Sequence, residues 1–304
     1  MKESTSLEPR GVRWGMRTAT FFVLIFLFVP FFIIVLYAFN ESIAQSWPIK
    51  EYSTKWLSVA WNNSEVREAL ANSVKAALGA STIAIVLGSL AAFAVHRYKF
   101  FGRETVSFLL VLPIALPGIV TGMALNSAIN YGGEIFGISF SLYTIIVGHA
   151  TFCIVVVYNN VIARLRRTST SLVEASMDLG ADGWQTFRFV ILPSLGTALV
   201  AGALLAFALS FDEIIVTNFT SGTETTLPKW IFNNLRLPNQ RPQVNVVVAF
   251  VVLVSFIPVY IAQKLTSDPG GGRGATRLRG ATTPPTPPPV TPATSPPAGL
   301  GADT

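Results

Sequence analysis

Asp212 and Glu213 stand side by side at the end of an apolar stretch, in the run Leu209-Ser210-Phe211-Asp212-Glu213. A charge at the centre of a membrane helix costs about 3 kcal/mol on insertion scales, so two carboxylates in succession point to work rather than packing. Ionised carboxylates only accept hydrogen bonds, and their chemistry here is attraction of a cation or anchoring of a polar contact. On a continuous helix successive residues point about 100° apart. That geometry puts Glu213 on the side of Ser210 and Thr217, and Asp212 beside Leu209, Ile215 and Val216. Glu213, with Ser210 and Thr217, is expected to face a polar pathway for a cationic solute. Asp212 is expected to hold a loop or a partner subunit. The plainer alternative is a structural hydrogen-bonding pair.

Other chemistry-bearing residues are few. His149 lies within an apolar run beside Gly148 and reads as a packing histidine in preference to a proton relay; His96 stands beside Arg97 where another run ends. Cys153 is the single cysteine, so no internal disulfide or cysteine framework is possible. Metal-ligand spacing, a nucleophile elbow and the G-x-x-x-x-G-K-[ST] phosphate loop are all missing from the sequence. No catalytic residue and no metal site are therefore expected, and the chain should not hydrolyse ATP by itself.

The elements that must position these residues are membrane helices. Of 304 residues, 51% are hydrophobic and only 12% charged, with mean hydropathy +0.53. Soluble domains carry about 25% charged residues, so a soluble globule is excluded. The net charge of +6 is scattered between apolar blocks rather than gathered in a stripe, which argues against nucleic acid. A hydrocarbon core of about 30 Å needs about 20 apolar residues in a helix. Six stretches meet that length, near 19–39, 73–95, 105–125, 140–163, 195–217 and 244–265. Their apolar runs are continuous rather than alternating, as helices require and barrel strands do not. The first run is too long for a signal peptide and no convincing cleavage site follows it.

Fifteen of the 22 Lys and Arg residues fall on one side of such a six-span chain, which places both termini in the cytoplasm. The short loop with Arg97, Lys99 and Arg103 is the best witness. Trp14, Trp56, Trp61 and Trp230 suit membrane interfaces. Pro113 and Pro117 predict a kink in the third span. The Gly/Ala-rich stretch 76–94 suits close helix approach. Outside the membrane, 40–72 should contain a short surface helix, 126–139 a short loop broken at Gly132-Gly133, and 218–243 a surface or re-entrant helix at Leu227-Pro228-Lys229-Trp230. The organisation is then 1–71 for the N-terminal segment, first span and outer segment, and 72–265 for a five-span core. Residues 268–304 hold nine of the 19 prolines and read as a disordered cytoplasmic tail.

The most informative segment is the cytoplasmic loop 164–193. Leu172, Val173, Met177 and Leu179 follow helical spacing; Gly180 should end that helix, and Asp182 should cap the next. Trp184, Phe187 and Val190 suggest a second short helix on the membrane face, with Pro193 starting the fifth span. Small Ala175 and Ser176 leave room for another protein, and Gly180 with Ala181 keeps the turn free of bulk.

This loop resembles the EAA loop of ABC importer permeases, E-A-A, three residues, G, nine residues, I-x-L-P. Glu174, Ala175, Gly180, Leu192 and Pro193 match at the family spacing, while Ser176 replaces the second alanine and Val190 the isoleucine. Asn72-Ser73, Leu112-Pro113, Leu116-Pro117-Gly118, Gly148-His149-Ala150 and Leu209-Ser210-Phe211-Asp212-Glu213 are also similar to this family. With Thr226-Leu227-Pro228 they look most like the second permease of the spermidine/putrescine branch.

The resemblance implies an all-α integral membrane protein of the bacterial inner membrane, with the MetI-like, type I ABC importer fold. It implies a related permease as partner, two ATPase subunits that bind the ATP and magnesium, and an extracytoplasmic substrate-binding protein above. Glu174, Ala175, Ser176, Asp178, Leu179, Gly180 and Ala181 would form the coupling element that docks on the ATPase, and no cofactor would belong to this chain. The cargo would be a polyamine or similar small organic cation, crossing by alternating access. The rivals are another cargo (an amino acid, a sugar phosphate or ferric iron) or an ATP-independent channel or carrier.

Overall fold

The computed structural model describes residues 10–266; the expected tail at 268–304 and the start of the N-terminal segment lie outside the described residues. Among the described residues the chain is helical, with no strand beyond one isolated bridge between Asn40 and Tyr52. In chain order the helices are α1 Arg10–Ala38, α2 Lys55–Asn62, α3 Ser64–Arg97, α4 Arg103–Ala115, α5 Gly118–Phe136 and α6 Leu142–Leu165. There follow α7 Thr170–Asp178, α8 Gly183–Thr186, a π-helical turn Phe187–Ile191, α9 Leu192–Phe211, α10 Ile215–Thr220, α11 Leu227–Asn234 and α12 Arg241–Thr266.

Four stretches are long and apolar enough to cross a membrane: Gly11–Ala38, Ser64–Arg97, Leu142–Leu165 and Gly183–Phe211. A shorter apolar run, Arg241–Phe256, belongs to α12. The third expected span is divided. Pro117 pushes Leu116 out of the helical region, to φ −82° and ψ 144°, so the expected kink becomes a full break between α4 and α5. Pro113 is absorbed inside α4. The expected loop at 126–139 is also corrected, because α5 runs on through Gly132-Gly133 and stops at Gly137, whose φ of +69° favours glycine. The two outer surface helices expected from sequence are present as α2 and α11.

Helices α3, α6 and α9 pack against one another at the centre. Lipid offers apolar side chains as good a home as protein does, so helices in a membrane associate through close packing rather than through hydrophobic transfer. Small residues make that packing possible here. Ala76, Ala77, Ala80, Ala84 and Ala92 of α3 are fully buried. A Cβ at Gly88 would lie 2.8 Å from the Ile154 carbonyl oxygen and 3.1 Å from the Tyr158 nitrogen, so the α3 and α6 backbones nearly touch there. Gly79 meets Ile146 further along, which makes the two helices parallel.

The core is therefore ordered end to end. The last turns of α3 and α6 and the start of α9 share one end with α7 and α8, as the Phe93–Phe187 ring contact at 5.2 Å shows. The opposite end carries α2 and α11, and a second apolar cluster there includes Trp56, Trp230 and Val244. Trp56 and Trp230 are thus core residues (8% and 3% exposed), contrary to their expected interfacial placement, while Trp14 and Trp61 remain exposed.

Candidate functional site

Three places concentrate the polar and exposed groups, and the first is the loop between α6 and α9. Ser169 opens α7 by accepting a hydrogen bond from the Ser171 amide. The helix closes on Gly180 at φ +90°, where the Gly180 amide donates to the Met177 carbonyl and the Ala181 amide to the Ser176 carbonyl. Those two bonds are a Schellman closure, which satisfies the last carbonyls and needs a left-handed residue at the position Gly180 occupies. Asp182 then caps α8. Its Oδ1 accepts from the Gln185 amide at 2.7 Å, and Gln185 Oε1 accepts from the Asp182 amide at 2.9 Å. The stop and the restart are where the sequence places them.

A contact not foreseen joins the two helices. Ser176, standing where the EAA pattern has alanine, shares a hydrogen bond with the buried Thr186 hydroxyl at 2.9 Å. The outer side of this hairpin is bare: Glu174, Ala175, Asp178 and Gly180 are exposed, as are Leu172, Met177, Leu179 (89%) and Trp184. The expected second short helix is corrected, since α8 runs without interruption into α9. Pro193 has no N–H to give the turn before it, and the chain widens to a π turn in which the Leu192 amide reaches the Phe187 carbonyl. Such single turns accommodate an i→i−4 bond that cannot form. At the foot of the loop, Arg164 Nε donates to the Ser194 carbonyl at 3.0 Å and ties α6 to α9.

The second place is the end of α9. The helix stops at Phe211, Asp212 is its C-cap, and a new helix starts at Ile215, so the continuous 195–217 span is corrected. Glu213 sits in the break. Its Oε1 accepts from the Val216 amide at 2.9 Å and its carbonyl accepts from the Thr217 hydroxyl at 2.7 Å. Glu213 therefore serves α10 as a local cap, and the shared helical face expected for Ser210, Glu213 and Thr217 does not exist. Ser210 and Thr217 meet on another side, around His149. Its Nδ1 lies 2.8 Å from Ser210 Oγ and its Nε2 lies 2.9 Å from Thr217 Oγ1, with the ring 1% exposed.

The hydrogen-bond directions fix the histidine. Thr217 gives its only hydroxyl proton to the Glu213 carbonyl, so it must accept from His149 Nε2–H. In the neutral ring Nδ1 is then the acceptor, and Ser210 donates to it. One neutral imidazole thus bridges α6, α9 and α10 with both nitrogens satisfied, as the packing reading of His149 expected. Thr144 adds a parallel tie, donating to the Thr220 carbonyl at 2.7 Å. Asp212 remains exposed, and Glu213 Oε2 accepts no hydrogen bond from the described residues.

The third place is a polar cavity of about 430 Å³ at the α2/α11 end, bordered by Glu65, Glu68, Asn72, Glu224, Trp230 and Asn233 among others. Asn72 Nδ2 donates to Glu224 Oε2 at 3.0 Å, and Ser73 Oγ accepts from the Leu227 amide at 2.8 Å. Two motifs over 150 residues apart, Asn72-Ser73 and Thr226-Leu227-Pro228, therefore dock on each other. Trp230 Nε1 donates to Glu65 Oε2 at 3.3 Å. Lys229 Nζ turns away to Ser221 Oγ at 2.6 Å and the Glu224 carbonyl at 3.0 Å. Burial lowers the Lys229 pKa, and the Glu224 carboxylate opposes that shift. Sequence reading missed this cavity. Glu65 and Glu68 are a helical i, i+3 pair and could have signalled it, but Glu224 joins them only through the fold.

The described residues thus form a helical core with divided spans and an exposed, Gly-closed hairpin. Residues 84–269 match the family described as binding-protein-dependent transport system inner membrane component. The chain belongs to that family. It is an inner-membrane permease subunit of an ABC importer, and it is not itself an enzyme, since a separate subunit hydrolyses ATP. The permease is 31% identical over 267 residues to the spermidine/putrescine transport system permease protein PotC of Shigella flexneri, covering 87% of this chain and 97% of the relative. It is 32% identical over 250 residues to the putrescine transport system permease protein PotI of Escherichia coli K12, covering 78% and 86%. Its fold is that of a chain in the crystal structure of a bacterial ABC transporter involved in the import of the acidic polysaccharide alginate. That pair has a TM-score of 0.65 at 16% identity, with 86% of this permease and 99% of that chain covered.

Proposed function

We propose that this permease forms half of the translocation pathway of an importer for polyamines such as spermidine and putrescine. The observation that carries the reading is the near full-length correspondence with PotC, 97% of whose sequence is covered. The charge of the cavity at the α2/α11 end supports it: the three carboxylates of Glu65, Glu68 and Glu224 form a suitable entry for an alkylammonium chain. Glu213 Oε2 offers a further carboxylate oxygen deeper in the helices, beside exposed Asp212. In this reading the chain spans the membrane six times with both termini cytoplasmic, counting α4 and α5 as one divided span. It pairs with a related permease, stands on two ATPases and receives cargo from an extracytoplasmic binding protein.

The exposed hairpin from Glu174 to Ala181 is then the element that docks on the ATPase. ATP binding closes the ATPases, the hairpin moves with them, and α9 transmits the motion because α8, the π turn and α9 form one uninterrupted rod. Transport follows from different contacts in two states. The test is co-purification of the chain with its neighbouring permease, ATPase and binding protein, reconstituted in vesicles. Spermidine or putrescine should stimulate ATP hydrolysis and accumulate inside, and Glu213→Gln, which keeps an acceptor for the Val216 amide, should raise the KM for polyamine uptake. Stimulation by an amino acid or sugar phosphate with none by polyamines would overturn the cargo, and uptake without ATP would overturn the coupling.

A further inference from the structure

The α2/α11 end holds a second cavity of about 420 Å³, quite unlike the acidic one. It is a groove between α1, α2, α3 and α12. Ala38, Ala60, Val66, Leu227, Val247 and Ala249, all buried, form its floor. Phe39, Trp61, Phe250 and Leu253 form its open rim and are 39%, 67%, 46% and 60% exposed. Alanines of three different helices meet at the floor, so the empty volume comes from missing side chains.

One charged residue borders the groove, Arg67 of α3. It is exposed, and its guanidinium has no ion pair or hydrogen bond to any described residue; the single ion pair among them is Lys55 to Glu41. The groove is lined where the apolar run of α1 ends, at Val35, Ala38 and Phe39, and where that of α12 begins, at Val246 and Val247. Those two helix ends mark the edge of the hydrocarbon layer, which sets the Arg67 guanidinium, on the border of the same groove, near the headgroups. From there the groove follows one face of α12 inward, through Val246, Ala249, Phe250 and Leu253.

We propose that this groove is a binding site for an anionic phospholipid, with one acyl chain on the alanine floor and the phosphate on Arg67. The charge argument decides the occupant. A polyamine would meet a like charge and an apolar wall, whereas a phosphate takes the planar fork of a guanidinium in a bidentate contact. The acyl chain fills space that no side chain of the described residues reaches. Bound in this way, the lipid joins the exposed N-terminal helix to α12 and α3, and it holds α2 against them. The site does not depend on which cargo the importer carries.

The experiment uses the assembled transporter, purified in detergent, stripped of lipid and titrated with phosphatidylglycerol, with bound lipid counted by native mass spectrometry. The intact complex should retain phosphatidylglycerol in preference to phosphatidylethanolamine, and inorganic phosphate should not displace it. Arg67→Gln should weaken that binding about tenfold, the loss expected for one charge-assisted contact. Ala249→Phe, which fills the floor, should abolish it. Equal lipid counts in the intact complex and both variants would overturn the proposal. So would cross-linking of an Ala249→Cys variant to a helix of the partner permease in place of a lipid.

Discussion

The hairpin of α7 and α8 and the junction around His149 are both polar interruptions of an apolar chain, yet they are built in opposite ways. The hairpin is held by short-range bonds: Gly180 to Met177, Ala181 to Ser176, and Asp182 with Gln185. The junction is held by long-range ones, with His149 reaching Ser210 and Thr217 across 61 and 68 residues. The hairpin exposes most of its side chains, whereas the junction buries all three of its own. A segment made of local bonds can move as a unit without disturbing the core. A segment made of distant bonds holds the core in one arrangement. With the hairpin in its proposed role, coupling and stability are thereby separated in space.

Four substitutions test that separation, taken here from the largest expected effect to the smallest. Gly88→Ala drives a Cβ to 2.8 Å from the Ile154 oxygen, a backbone atom that cannot turn aside. It should cost about 1–3 kcal/mol by overpacking, read as an earlier thermal unfolding midpoint of the purified complex. His149→Leu comes next. It strips the Ser210 hydroxyl of its partner in a buried place, which should cost about 1–2 kcal/mol. If the midpoint stayed put, the histidine would not be the tie that the geometry makes it.

Gly180→Val should reverse the pattern. There is open space around the site, so the penalty is backbone strain at φ +90°, about 1–2 kcal/mol against the native turn. Binding-protein-stimulated ATP hydrolysis should fall severalfold while the unfolding midpoint of the membrane core moves little. A large fall in the midpoint with normal stimulation would break the comparison outright. Ser176→Ala, the smallest change, removes the bond to Thr186 and should cost about 1 kcal/mol. It restores the alanine of the EAA pattern, so stimulated hydrolysis should drop by less than in Gly180→Val. An equal drop would mean that the angle between α7 and α8, rather than the turn alone, sets the coupling.

How much was legible follows the same division. Leu172, Val173 and Met177 mark α7 by spacing, Gly180 marks its end and Asp182 the next start, because each acts on neighbours within five residues. The small residues of α3 announced a close crossing for the same reason that they create one. The line drawn through Ser210, Glu213 and Thr217 failed because it assumed an unbroken helix, and no residue between them is a glycine or proline to warn of the break. The interruption is stabilised from outside, by His149 on α6, and from within by the Glu213 side chain on the Val216 amide. At Pro117 the opposite held, since proline is its own warning, although a kink was expected and a break was found.

Composition, apolar block length and turn chemistry alone determined that this is a helical membrane protein, where α7 stops and α8 starts, and which loop stands apart. These properties arise from solvation and from hydrogen bonds a few residues long, both of which are written in adjacent letters. Only the tertiary structure decided that Glu224 joins Glu65 and Glu68 around one cavity, that Arg67 faces an alanine-floored groove, and that one imidazole closes the gap between α9 and α10. Those groupings depend on which helix faces cross, and crossing is settled by the fit of side chains more than 60 residues apart.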